Sequence, residues 1–139
     1  MDQRLQHCAA RHDLSVEWGE RGAEAGREDV ILADTLHQGT FGLTPGEHKQ
    51  VKSLSARANL PENMTHLELA LHSLASATST AIHQARDSQG FAALQRDTLE
   101  AGKVTGEARA RIESATGLSV VSPENARTLH QGQQPPLLE

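Results

Sequence analysis

Met64–Arg86, MTHLELALHSLASATSTAIHQAR, is the longest stretch in which apolar residues keep helical spacing. Leu67, Leu71, Leu74, Thr78, Ala81 and Ala85 follow at intervals of four, three, four, three and four, which sets them along one face of an α-helix. Such a face predicts burial. Its start is chemically marked. The Thr65 hydroxyl can accept from the Glu68 N–H and the Glu68 carboxylate can reach back to the Thr65 N–H, a capping box flanked by Met64 and Leu69 as a hydrophobic staple. From Ala75 to Ile82 the helix is built of Ala, Ser and Thr. These fill little volume, let a second backbone come close, and leave an isolated peptide only marginally helical. Packing against neighbours must hold it.

Only 37% of the 139 residues are hydrophobic and 2% aromatic, with Trp18, Phe41 and Phe91 the whole aromatic set. An aliphatic, alanine-rich core of this size points to an all-α fold. The expectation is a bundle of about five to six helices around a long central helix, one helical interaction domain over 1–130, and a disordered tail over 131–139. The formal net charge of −5 argues against wholesale phosphate binding, which draws on Lys and Arg. The lone Cys8 excludes an internal disulfide. No apolar run follows Met1–Arg4 and none reaches membrane-spanning length, so the expected address is cytoplasmic, without a membrane partner.

Taken in order, residues 2–11 suggest a short amphipathic helix, and Asp13 or Ser15 a cap for a second one beginning at Val16. Gly19, Gly22 and Gly26 weaken its continuation. Val30, Ile31, Ala33 and Leu36 predict a helix to about Gln38, stopped by Gly39, with Phe41 folding back. Thr44-Pro45-Gly46-Glu47 is another capping box, opening a helix to about Ala58 with Val51, Leu54 and Ala58 inward. Pro61 separates it from the long helix. Phe91 to Gly102 forms the next, Thr105 caps another that carries Ala108, Ile112 and Ala115, and Gly117-Leu118 ends it. Ser119–Val121 reads as extended, and Ser122-Pro123-Glu124 opens a last turn or two.

The chemistry-bearing residues form no recognisable constellation. Of the eight histidines, His66 and His72 are six apart and so on opposite helix faces. His72 and His83 lie about 16 Å apart along the axis at about 1.5 Å per residue. With no H-E-x-x-H and no Cys-x-x-Cys, the histidines are expected at the surface or its boundary, and neither metal nor cofactor is expected. Cys8 and His7 are adjacent on a helix and diverge too far to act as nucleophile and base. No phosphate loop or nucleophile elbow is present, so no catalytic residues are assigned. A DNA-reading helix-turn-helix over residues 45–86 fails because the second helix carries no Lys or Arg before Arg86 and has Glu68 in its first turn. Two candidate surfaces remain. One is the face Leu67, Leu71 and Leu74 continuing into the small seam Ala77, Ala81 and Ala85, a site for a partner or a second copy. The other is a modest basic surface for nucleic acid, Lys49, Lys52 and Arg57 with Lys103, Arg109 and Arg111, against the plainer account of solvated charge.

Three ordered motifs, F-G-L-T-P-G-E-H-K-Q-V-K-S-L at 41–54, N-M-T-H-L-E-L-A-L at 63–71 and R-D-S-Q-G-F at 86–91, resemble the C-terminal region of BRO-family proteins. These are phage-type antirepressors akin to the bacterial DNA damage-inducible protein D. The likeness extends upstream through Leu14–Trp18, Arg21-Gly22 and Glu28–Leu32, and downstream through Ala101–Arg109 and Thr116–Asn125. Family members carry an N-terminal Bro-N domain, thought to bind DNA, and Met1 falls after it, so that activity is not carried over. The resemblance implies a non-enzymatic module of prophage or damage-response type. It would associate with itself or modulate a DNA-bound partner, a repressor or a recombinase filament. The alternative is a weak nucleic-acid binder using the Lys/Arg surface.

Overall fold

A computed structural model describes residues 2–133 as six α-helices and a short 3-10 turn, with no strand among the described residues. They are α1 (Gln3–Glu20), α2 (Glu28–Phe41), α3 (Pro45–Val51), the turn at Pro61–Asn63, α4 (His66–Arg86), α5 (Phe91–Thr116) and α6 (Ala126–Gln133). The all-α bundle expected from composition is what the chain forms. Helix α4 packs against α1, α5 and α2, while α2 lies along α5.

Both capping boxes close as the sequence dictates. Thr44 accepts from the Glu47 N–H at 3.1 Å and Glu47 accepts from the Thr44 N–H at 2.9 Å. Thr65 and Glu68 repeat the exchange at 3.2 and 2.9 Å. Each box satisfies two orphan donors at a helix start.

Helix α1 does not restart at Asp13 or Ser15. It runs unbroken from the Asp2 cap, whose carboxylate accepts from the Arg4 N–H at 3.0 Å. Its inward stripe is His7, Leu14 and Trp18, at intervals of seven and four, with Arg11 exposed at the turn between. One of the three is polar and the turn between His7 and Leu14 adds no apolar member, which hides the period from any count of apolar residues.

The two glycine stops also fail, for one shared reason. Helix α2 passes through Gly39 to Phe41, and α5 passes through Gly102 to Thr116 without a new start at Thr105. The two helices cross where these glycines meet. A Cβ on Gly39 would stand 2.7 Å from the Gly102 Cα, and one on Gly106 2.3 Å from the Gly39 carbonyl oxygen. Beside the crossing, the buried hydroxyls of Thr40 and Thr105 are 2.7 Å apart. Backbone contact here outweighs the roughly 1 kcal/mol per residue that glycine costs inside a helix.

Helix α3 ends at Val51 rather than near Ala58, with Ser53 in a left-handed conformation at φ 57°. Val51 consequently faces solvent, and Leu54 and Ala58 are half-buried. At the other end, α6 occupies residues 131–133, where a disordered tail was expected; residues 134–139 of that tail lie outside the described residues.

The largest correction concerns α4. Leu71 is buried, but Leu67 is 42% exposed, Leu74 48%, and Ala77, Ala81 and Ala85 are exposed too. The face that the chain's own helices cover is turned by one residue: Glu68, Leu69, Leu71, Ala75, Ser76, Ser79 and His83. Of its polar members, Glu68 and His83 meet partners, described below, whereas the buried Ser79 hydroxyl has none among the described residues. The apolar core is a pair of clusters. One joins Leu14, Trp18, Leu32, Leu36, Ala75, Leu94 and Ala101; the other joins Phe41, Leu60, Met64, Leu69, Leu71 and Val120.

Candidate functional site

Glu68, placed by the α4 capping box, is fully buried and accepts from four groups. They are the Thr65 N–H at 2.9 Å, Lys52 Nζ at 2.6 Å, His48 Nε2 at 2.6 Å and the Ser122 N–H at 3.2 Å. Lys52, also fully buried, gives its other protons to the carbonyls of Ser122 at 2.8 Å and Glu124 at 2.6 Å. Burial alone would raise the Glu68 pKa, but the donors His48 and Lys52 outweigh it and hold the carboxyl below its ordinary range.

The direction of the His48–Glu68 hydrogen bond follows by elimination. A carboxylate only accepts, so His48 Nε2–H donates to it. His37 Nε2 shares a hydrogen bond of 2.9 Å with His48 Nδ1. His37 in turn meets His72 edge-on with ring centroids 5.5 Å apart, and His72 Nδ1 lies 2.6 Å from His7 Nε2. Four imidazoles from α1, α2, α3 and α4 thus touch in series. Burial, together with the His48 charge, pushes the His37 pKa down to about 3. Burial, Arg11 and Arg4 push His7 down to about 4, and burial holds His72 well below its usual value.

A second buried network joins α1, α4 and α5. Asp97 accepts from the Ser88 hydroxyl, from His83 Nδ1 at 3.0 Å and from Arg86 Nη1 at 3.0 Å. Trp18 Nε1 donates to His83 Nε2 at 3.1 Å. Serine, histidine and aspartate are all present here, yet the serine bonds to the carboxylate instead of the imidazole. The imidazole's remaining lone pair is occupied by the indole. No base faces a nucleophile, and the cluster serves to fasten three helices.

The histidine expectation is therefore corrected. His7, His37, His48 and His83 are buried and His72 half-buried, whereas His12, His66 and His130 are exposed. Among the described residues no group of three or more His, Cys, Asp or Glu is placed to hold a metal ion. His48 and Lys52, four apart and one helical turn from each other, were a legible signal for a shared inward partner.

The proposed basic surface is likewise broken up. Lys52 is interior. Arg109 is half-buried, donating to the Thr40 carbonyl at 2.8 Å and to Glu113 at 2.9 Å. Lys49 donates to the Ala56 carbonyl at 2.9 Å. Arg57, Lys103 and Arg111 are exposed, with Arg57 in the loop after α3 and the other two on α5.

Two surface features remain. On α4, Ala77, Thr78, Ala81, Ile82, Ala85 and Arg86 line a shallow, open depression, beyond which Leu74 and Leu67 continue the exposed ridge. Elsewhere a cleft of about 480 Å³ opens between α1, α2, α3 and residues 58–64, with Trp18, His37 and His72 among its lining. No protein-family model, curated protein or solved structure matches this chain. No helix among the described residues is long and apolar enough to cross a membrane.

Proposed function

We propose that this chain is a non-enzymatic, cytoplasmic helical module that acts by associating with a protein partner or a second copy of itself. The observation that carries the reading is the exposed α4 ridge, where Leu67, Leu74, Ala77, Ala81 and Ala85 keep helical register yet are left uncovered by the chain's own helices. An apolar stripe in register on a soluble helix is a surface on which another helix can lie, and its alanines let that helix approach closely. The buried titratable groups support the same reading from the other side: Glu68, His48, Lys52, His83 and Asp97 are committed to each other. The resemblance to antirepressor and damage-inducible C-terminal regions suggests that the partner is a DNA-bound repressor or a recombinase filament.

Direct nucleic-acid binding through Lys49, Arg57, Lys103 and Arg111 is the weaker alternative, because Lys52 and Arg109 are spent on internal contacts. Affinity capture from damaged and undamaged host lysate, run beside sedimentation of the pure protein, tests the reading. Wild-type protein is expected to retain a partner or to self-associate, and Ala81→Glu to do neither. A strict monomer whose captured proteins are the same with and without Ala81→Glu would remove the α4 ridge as an interface.

A further inference from the structure

Residues 45–58, which comprise α3 and the turn after it, are held to the bundle by titratable groups instead of apolar ones. Two side chains of the segment are buried, His48 and Lys52, both fully. Pro45, Lys49, Leu54 and Ala58 are half-buried and the others exposed. Among the described residues, the hydrogen bonds from this segment to other helices or to the residues after α5 all run through the same two. His48 shares a bond of 2.9 Å with His37 and donates to Glu68 at 2.6 Å. Lys52 donates to Glu68 at 2.6 Å and to the carbonyls of Ser122 and Glu124, and its own carbonyl accepts from Asn125. The apolar share is small: the His48 ring stands edge-on to Phe41 with centroids 4.9 Å apart, and Leu54 packs against the second core cluster.

The segment covers imidazoles. Pro45, Lys49 and Ala58 line the 480 Å³ cleft together with His37 and His72. Acting on these two rings are His7 and Arg11 from α1, His48 from α3 and Glu68 from α4, with Lys52 beside Glu68. From α5, Ala108 and Ile112 pack against the adjoining cluster around Phe41. Burial first, and the positive charge of these neighbours second, push His37 down to about 3 and hold His72 well below its usual value. In water either ring takes up a proton below about pH 6.5. Uncovering them is therefore coupled to proton uptake, and acid drives it. Both anchors end on Glu68, whose carboxylate is neutralised in stronger acid, so its titration works in the same direction.

We propose that residues 45–58 are an acid-released flap, hinged between the buried Phe41 and Leu60. On lifting, it takes His48 and Lys52 off Glu68, lets water reach His37 and His72, and opens the cleft, while α1, α2, α4 and α5 stay assembled. The flap is separate from the α4 ridge, and its test is independent of that reading.

Amide hydrogen exchange of the full chain, corrected for the intrinsic rate at each pH, provides the test. The amides of His48, Lys52 and Leu54 are bonded within the segment, and a helix of seven residues has no stability of its own once it leaves the bundle. These amides should be at least tenfold less protected than the interiors of α4 and α5 at pH 7.0. From pH 7.0 to 5.5 their protection should fall about eightfold for each ring that gains water, and about seventyfold for both. His37→Phe and His72→Phe should each leave about an eightfold fall, and the double variant none. Should a variant fail to fold, the wild-type comparison of α3 with α4 and α5 still decides. Protection in 45–58 equal to that of α5 would show that the chain opens as a whole and overturn the flap. A wild-type fall of less than about fivefold, or one left at full size by His72→Phe, would overturn the role of the two rings.

Discussion

Gly106 of α5 lies so close to Gly39 of α2 that a Cβ at 106 would stand 2.3 Å from the Gly39 carbonyl oxygen. That oxygen belongs to a helix backbone and cannot swing aside as the tip of a side chain would. Gly106→Ala should therefore destabilise the fold by about 2–3 kcal/mol, overpacking outweighing the gain of roughly 1 kcal/mol in helix propensity. Gly19, also helical but with nothing within 4 Å of its would-be Cβ, should give the opposite sign, Gly19→Ala stabilising by about 0.5–1 kcal/mol. Urea denaturation of both variants checks the pair, and a stabilised Gly106→Ala would refute the close crossing.

Removing the buried ammonium should be costly. Lys52→Ala leaves Glu68 without its nearest cation and two carbonyls without a donor, for an expected loss of about 3–5 kcal/mol. Exchanging Lys49, whose ammonium reaches only the Ala56 carbonyl at 2.9 Å, should cost under about 1 kcal/mol. Thermal or urea unfolding distinguishes an interior Lys52 from a surface one.

Acid should weaken the protein well before its carboxylates are neutralised. For His7 and His37 the folded pKa lies below the ordinary imidazole value of 6.5, at about 4 and about 3, and that of His72 is lowered too. For a base with a depressed pKa the stabilisation is complete above 6.5 and drains as pH falls towards the folded value, because the unfolded chain takes up protons that the folded one refuses. The slope is about 1.4 kcal/mol per pH unit for each such proton. Glu68 and Asp97, both lowered, add a further loss only below their unfolded values. Unfolding curves at pH 7.5, 6.0 and 5.0 should show a plateau and then a steep decline; stability unchanged from 7.5 to 5.0 would contradict the buried histidine series.

On the α4 ridge, Leu74→Glu and Ala81→Glu should leave the unfolding free energy within about 1 kcal/mol of wild type, as expected of exposed positions. Both should abolish association seen by sedimentation or capture. Large destabilisation would show instead that these residues are interior.

The helical class, both capping boxes and the loop before α4 were legible because each rests on local chemistry: Thr65 with Glu68, Thr44 with Glu47, and Pro61. The interior was not. Search for apolar periodicity finds Leu67, Leu74, Ala77 and Ala81, whereas α4 turns Glu68, Ser76, Ser79 and His83 inward. Glu68 and His83 are core residues because partners arrive from distant segments, and Trp18 with His83 are 65 positions apart. Gly39, Gly102 and Gly106 misled for a related reason, since a glycine that breaks an isolated helix is what permits two helices to touch.

The residues after α5 do more than trail from the bundle. Lys52 is sealed from outside by the carbonyls of Ser122 and Glu124, and Asn125 returns a hydrogen bond to the Lys52 carbonyl at 3.0 Å. Trimming the chain back to Thr116 would thus uncork an ionic pair that the rest of the molecule has no other means to shelter. The smallest piece able to fold is set by this stopper near residue 125, and a fragment chosen to end with the last long rod would miss it.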